Sequence, residues 1–62
     1  MKVNQFVALM KRNGCFLLRH GGRHDVWFSP KTNQSFSVPR HSSKELLKGI
    51  EAEGRKALGL KD

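Results

Sequence analysis

Cys15–Phe28, CFLLRHGGRHDVWF, is the stretch on which the fold turns. Residues 15–20 read as a short strand that opens on the apolar run Cys15 to Leu18. Gly21-Gly22 follows, a dipeptide suited to a two-residue hairpin turn, and residues 23–28 return with Val, Trp and Phe. Two strands joined by a tight turn must lie antiparallel. Pro30-Lys31-Thr32-Asn33-Gln34 has loop chemistry. Ser35 to Val38 then alternates polar and apolar until Pro39 ends it, giving a third strand. The centre of the chain therefore reads as a three-stranded antiparallel meander.

The flanks read as helices. Val3, Phe6, Val7 and Met10 recur at the spacing of one helical face. Asn4 is a candidate N-cap, Lys11 and Arg12 suit the last turn, and Gly14 suits the stop, so residues 5–13 are predicted as the first helix. In the last third, Ser42 and Glu45 have capping-box spacing, and Leu46, Leu47, Ile50, Ala57 and Leu58 can share a broad face. Gly49 and Gly54 each cost about 1 kcal/mol relative to Ala inside a helix. Gly49 is thus an alternative starting point, after a short turn at residues 44–48. The order is α-β-β-β-α, a single α+β domain over residues 1–62.

Size and charge narrow the function. A 62-residue chain buries only about 60% of its unfolded surface. It has no room for a Rossmann or barrel enzyme, so any site must lie on the surface. The formal net charge is +7. Residues 1–41 hold seven Lys and Arg and one acid, Asp25, whereas residues 42–62 hold five bases and four acids. An excess concentrated in the first two-thirds implies a basic face, suited first to polyphosphates and next to acidic proteins or anionic membranes. One cysteine, Cys15, excludes an internal disulfide and any two-Cys zinc site; its expected role is in the core. The longest apolar run, Phe6 to Met10, is far short of the roughly 20 residues that span a bilayer. Without a signal-peptide pattern, a cytoplasmic protein is the expectation.

Among candidate chemical groups, His24 stands out. It follows the turn, between Arg23 and Asp25, in the most basic part of the chain. Histidine can take or give a proton near neutral pH. Metal-free RNA cleavage needs a proton removed from the 2′-OH, a proton given to the leaving 5′-oxygen, and cations on the phosphate. The competing reading is an ordinary residue at a strand edge. Strict alternation places His24 with Val26 and Phe28, opposite Arg23, Asp25 and Trp27, but it does not say which set faces the core. His20, His24 and His41 lack a fourth ligand and a rigid spacing, so no metal site is expected. Arg19, Arg23, Lys31 and Arg40 fall at strand ends and loops. Each alone is explained by solubility; together with the charge asymmetry they suit phosphate contact. Trp27 and Phe28 offer surfaces on which bases could stack, although so small a protein needs at least one of them in its core.

The residues NGCFLLRHGGRHDVWFSP, 13–30, resemble the centre of the HicA family of bacterial toxins. Gly14, Phe16, Arg19, Gly22, His24 and Phe28 fall on the family pattern, with Cys15 where an aromatic is commoner. Farther on, SVPRHSSKELLKGIEAEGRKALGL, 37–60, resembles the family's second half through Val38-Pro39, Arg40, His41, Lys48-Gly49 and Leu58-Gly59-Leu60. The resemblance spans nearly the whole chain. It implies a fold similar to double-stranded RNA-binding domains, with both helices on one sheet face. It also implies a metal-independent endoribonuclease that needs no cofactor, cuts mRNA and arrests translation. An acidic HicB-type antitoxin would cover its active face; neither membrane nor DNA contact is expected of this chain alone. On this reading His24 is the catalytic residue. Arg19, Gly22, Arg23, Lys31 and Arg40 are the expected RNA-binding residues, with Gly22 letting the backbone approach. Gly54 stands where the family usually has an apolar side chain, an expected weak point of the last helix. Two rivals share the fold: an RNA-binding module without catalysis, and a small interaction protein whose basic face serves only an acidic partner.

Overall fold

The computed structural model describes all residues, Met1–Asp62. Helix α1 spans Val3–Arg12, strands β1, β2 and β3 span Phe16–His20, His24–Ser29 and Gln34–Pro39, and helix α2 spans Lys48–Leu58. The strands form one antiparallel sheet in the order β1-β2-β3. The meander and the α-β-β-β-α order agree with the sequence reading. No helix is long and apolar enough to cross a membrane.

The apolar stripe of α1 is core as expected. Val3, Phe6, Leu9 and Met10 are buried, together with Cys15, Trp27, Val38, Leu46 and Leu58. Trp27 and Val38 are the sheet's contribution, so both helices pack on the face that these two residues share. Opposite residues of an antiparallel pair point to the same face. The pairs Trp27↔Phe36 and Asp25↔Val38 therefore define the inner face, and Val26↔Ser37, Phe28↔Ser35 and His24↔Pro39 the outer one.

Helix α1 begins two residues earlier than predicted, and Asn4 is not its cap. The N-cap is Lys2, whose backbone N–H donates to Gln5 Oε1 at 2.8 Å. The first-turn N–H groups of Val3 and Asn4 donate to the carbonyls of Lys44 and Ser42, both at 2.9 Å. A distant segment thus satisfies donors that a local side chain normally takes. The same pairing removes the predicted capping box. Glu45 accepts from the Met1 ammonium at 2.6 Å, and α2 starts at Lys48 with Leu47 as an uncapped N-cap. The alternative start near Gly49 is the one realised. Leu47 consequently leaves the expected apolar face and is 72% exposed.

The far end of α2 is tied to the sheet. Ser29 Oγ, fully buried on β2, donates to the Leu58 carbonyl at 2.7 Å, and Thr32 Oγ1 donates to the Ala57 carbonyl at 2.6 Å. These bonds satisfy carbonyls left free at a helix C-terminus. Gly59 ends the helix at φ 63°, a left-handed conformation that costs glycine little.

Candidate functional site

Three strand features assemble the site. The first is the parity of β2. Because Trp27 and Ser29 are buried, the alternate residues His24, Val26 and Phe28 lie on the outer face, where no helix covers them. His24 is exposed at the start of the central strand. Its open orientation, undetermined by alternation alone, follows from which aromatic the core took: Trp27 is inside and unavailable for stacking.

The second feature is a β-bulge in β1. Phe16 pairs with Phe28 and Leu17 with Trp27, but the next partner of β2 is Arg19, opposite Val26, and then His20, opposite Asp25. Leu18 is the extra residue. A bulge re-aims the side chains that follow it. Unbroken alternation would put Arg19 on the inner face with Leu17; the bulge brings it to the outer face with Phe16, Val26 and His24. His20 is turned the other way.

The third is the connection at Gly21-Gly22. It is longer than the predicted two-residue turn, since Gly21, Gly22 and Arg23 all lie between the strands. The Gly21 N–H donates to the His24 carbonyl at 2.7 Å, and a Cβ on Gly21 would lie 2.7 Å from that same oxygen. Gly21 is therefore the residue that must be glycine here, while Gly22 faces open space. Arg40, the residue after β3, clasps the loop. Its Nη2 donates to the Gly21 carbonyl and, at 3.2 Å, to the Gly22 carbonyl.

Asp25 anchors that clasp. Its Oδ1 accepts from His20 Nδ1 at 2.8 Å and from Arg40 Nε at 3.0 Å. The hydrogen bond from His20, reinforced by the Arg40 guanidinium, holds the Asp25 carboxyl below its ordinary value. The sequence singled out Asp25 only as the lone acid of the basic segment. Its partners are cross-strand neighbours, and spacing along the chain does not reveal them.

The predicted RNA-binding residues separate accordingly. Arg19 shares the outer face with His24. Gly22, Arg23, Arg40 and His41 line an open polar concavity of about 350 Å³ beside the loop. Arg23 makes no ion pair, whereas much of Arg40 is spent on the clasp. Lys31 lies at the opposite end of β2, in the β2–β3 loop, with its Nζ donating to Asn13 Oδ1 at 3.1 Å. The structure does not bring it near His24. A second, larger groove of about 560 Å³ runs beside the free edge of β3, with His24, Ser35, Ser37 and Pro39 on one wall and Lys44, Glu45, Leu47, Ile50 and Glu53 on the other. Its far wall is built by the segment preceding α2 and the first turns of that helix, which sequence reasoning did not connect with His24. No group of three His, Cys, Asp or Glu side chains comes together in a metal-binding arrangement.

The family model described as the HicA toxin of bacterial toxin-antitoxin systems matches residues 3–60. The chain belongs to the HicA toxin family. The match takes in every element from α1 to the Gly59 cap, so the outer face, the bulge and the Gly21-Gly22 loop all lie within the HicA domain. Membership in a toxin-antitoxin family implies an antitoxin partner. Comparisons with curated proteins and with solved structures give no match.

Proposed function

We propose that this HicA-family toxin is a metal-independent endoribonuclease that cuts mRNA in the cytoplasm, with His24 moving the proton. The observation that carries this reading is the composition of the outer face. It joins an exposed histidine to Arg19, and the strands place no carboxylate on it, since Asp25 is turned inward and paired; Glu45 and Glu53 stand only across the groove beside the β3 edge.

Such a face can align and cut a flexible polyanion. Acting as base, His24 takes the proton of a ribose 2′-OH. The freed oxygen attacks the adjacent phosphorus, the bond to the 5′-oxygen breaks, and a cyclic phosphate forms. The departing 5′-oxygen must receive a proton, from His24 if it instead serves as acid, or from water. Arg19 and Arg23 neutralise the charge that gathers on the phosphoryl oxygens. Gly22 presents bare backbone to the strand, and Arg40 acts on the RNA from the same concavity while holding the loop. Lys31 reaches RNA only where the strand extends along the length of β2. An acidic HicB-type antitoxin silences the toxin by covering the same face, and charge complementarity speeds its association.

Single-turnover cleavage of one labelled RNA, with binding measured in parallel, tests the assignment. His24→Ala should lose about 10²–10⁴ in rate while keeping its RNA affinity, and it should no longer arrest growth. His20→Ala and His41→Ala should be milder. Cleavage should survive EDTA. Wild-type cleavage by His24→Ala removes His24 from the chemistry, and RNA binding without any cleavage by the wild type makes the domain a binding module.

A further inference from the structure

We propose that Phe16 and Phe28 form a stacking platform for unpaired nucleobases on the outer face of the sheet, and that this platform selects single-stranded RNA for the His24 site. The inference rests on the ribonuclease reading and names its substrate class.

Phe16 is 48% exposed in a protein short of apolar mass for its core. It lies directly opposite Phe28 in the β1–β2 ladder, and the two rings sit 5.5 Å apart, tilted by 47°. Each ring thus braces the other on a rigid sheet, which lowers the entropy lost when a flat ligand settles on them. On the other side, Phe28 is paired with Ser35, whose small side chain leaves that flank uncovered. The surrounding outer-face residues are Arg19, Val26, His24 and Ser37, cationic, neutral or hydroxylic. An exposed ring, Phe16, backed by half-buried Phe28 beside a cation, with no acid among the outer-face strand residues, matches the two halves of a nucleotide: base on ring, phosphate on guanidinium. An acidic protein would also meet Arg19, and Leu17 and Leu18 expose further apolar surface on β1; the flat ring of Phe16 beside a guanidinium is the feature that favours a base, and the test below separates the two.

The spacing gives the platform a role. Phe28 and His24 are four residues apart on the same face, about 13 Å along the strand. That is roughly four stacked nucleotides at about 3.4 Å each, and fewer if the strand is drawn out. A base held on Phe28 therefore sets which phosphodiester reaches His24. Bases locked in a duplex cannot splay onto the rings, so paired RNA is refused.

Binding of a short 2′-O-methyl oligoadenylate, which lacks the attacking hydroxyl, tests this against an abasic oligomer of equal phosphate number. The wild type should prefer the oligoadenylate. Phe16→Leu, which keeps apolar bulk and Phe28, should lose roughly 5- to 150-fold in affinity for it and most of the preference over the abasic oligomer. Phe16→Trp should restore the preference, and circular dichroism confirms folding of each variant. Equal binding of the two oligomers by the wild type overturns the platform, a result independent of any variant; the ribonuclease reading survives it if labelled RNA is still cut. A wild type that neither binds nor cuts RNA overturns both. Unchanged RNA binding by Phe16→Leu, with loss of antitoxin capture, assigns the face to the protein partner and rejects the platform.

Discussion

Gly54 stands at mid-helix in α2, where glycine is normally a defect. Replacing it with Ala should supply about 1 kcal/mol of helix propensity. The structure argues that this gain is overridden. A Cβ at Gly54 would lie 2.7 Å from Phe6 Cζ and 2.9 Å from Phe36 Cε2, whereas carbon atoms in good contact sit about 3.5–4.0 Å apart. The Phe6 ring is fully buried and cannot retreat into solvent. Forcing an extra carbon into such a site costs typically 1–3 kcal/mol, so Gly54→Ala should end between neutral and about 2 kcal/mol less stable. Gly49 is the internal control: it is also in α2, and a Cβ there meets nothing within 4 Å. Gly49→Ala should be stabilised by at most about 1 kcal/mol. Both variants carry a propensity gain, so their difference reports the packing cost, about 1–3 kcal/mol. In a domain of this size each kcal/mol is worth roughly 4–8 °C in Tm. Thermal unfolding followed by far-ultraviolet circular dichroism and by fluorescence of buried Trp27 measures it. A Gly54→Ala protein as stable as Gly49→Ala would refute the argument that α2 is seated through the missing side chain.

Two further outcomes follow from the charges. RNA affinity should fall with salt at a log–log slope near −2 to −3.5, from three to five phosphate contacts at roughly −0.7 each; a flat titration rejects a phosphate-gripping face. Acid should loosen the fold partly through Asp25. Its folded-state pKa is depressed, first by the His20 hydrogen bond and then by Arg40, so its contribution is complete above the ordinary carboxylate value near 3.9 and is lost as pH falls through the lower folded value. The stability gap between wild type and Asp25→Asn, read from urea midpoints, should therefore hold steady above the ordinary carboxylate range and close as pH falls below about 4. Glu45, held down by the Met1 ammonium, should keep some acid sensitivity in the Asp25→Asn protein. A gap independent of pH would contradict the clasp.

Periodicity made the stripe of α1 and the meander legible, because burial on one face writes itself into local spacing. What stayed hidden depended on distant partners. The start of α1 is set by carbonyls of Ser42 and Lys44, about forty residues away, so Asn4 had no cap to make despite its suitable side chain. Glu45 matched a capping pattern and was taken by the chain's own ammonium instead. His24 was singled out by its chemistry, but its face was fixed only when Trp27 went inward. Gly54 looked like a flaw because the sequence shows what a residue lacks and not what fills the space. Arg40 looked like a free cation because nothing local marks Asp25 and two loop carbonyls as its acceptors.

The extra residue in β1 changes what a count along the chain means. Five residues, Phe16–His20, stand opposite the four from Asp25 to Phe28. Leu18 occupies a place in the text of the gene and none in the ladder. Removing it would leave every remaining pair of β1 and β2 in place, Arg19 still across from Val26. The interval between Phe16 and His24 is thus fixed in space by β2 and is free to vary by one in sequence. An alignment that charges a gap there records an edit to which the sheet is indifferent, while a one-residue change in β2, where no bulge absorbs it, would turn His24 to the other side of the molecule relative to Phe28.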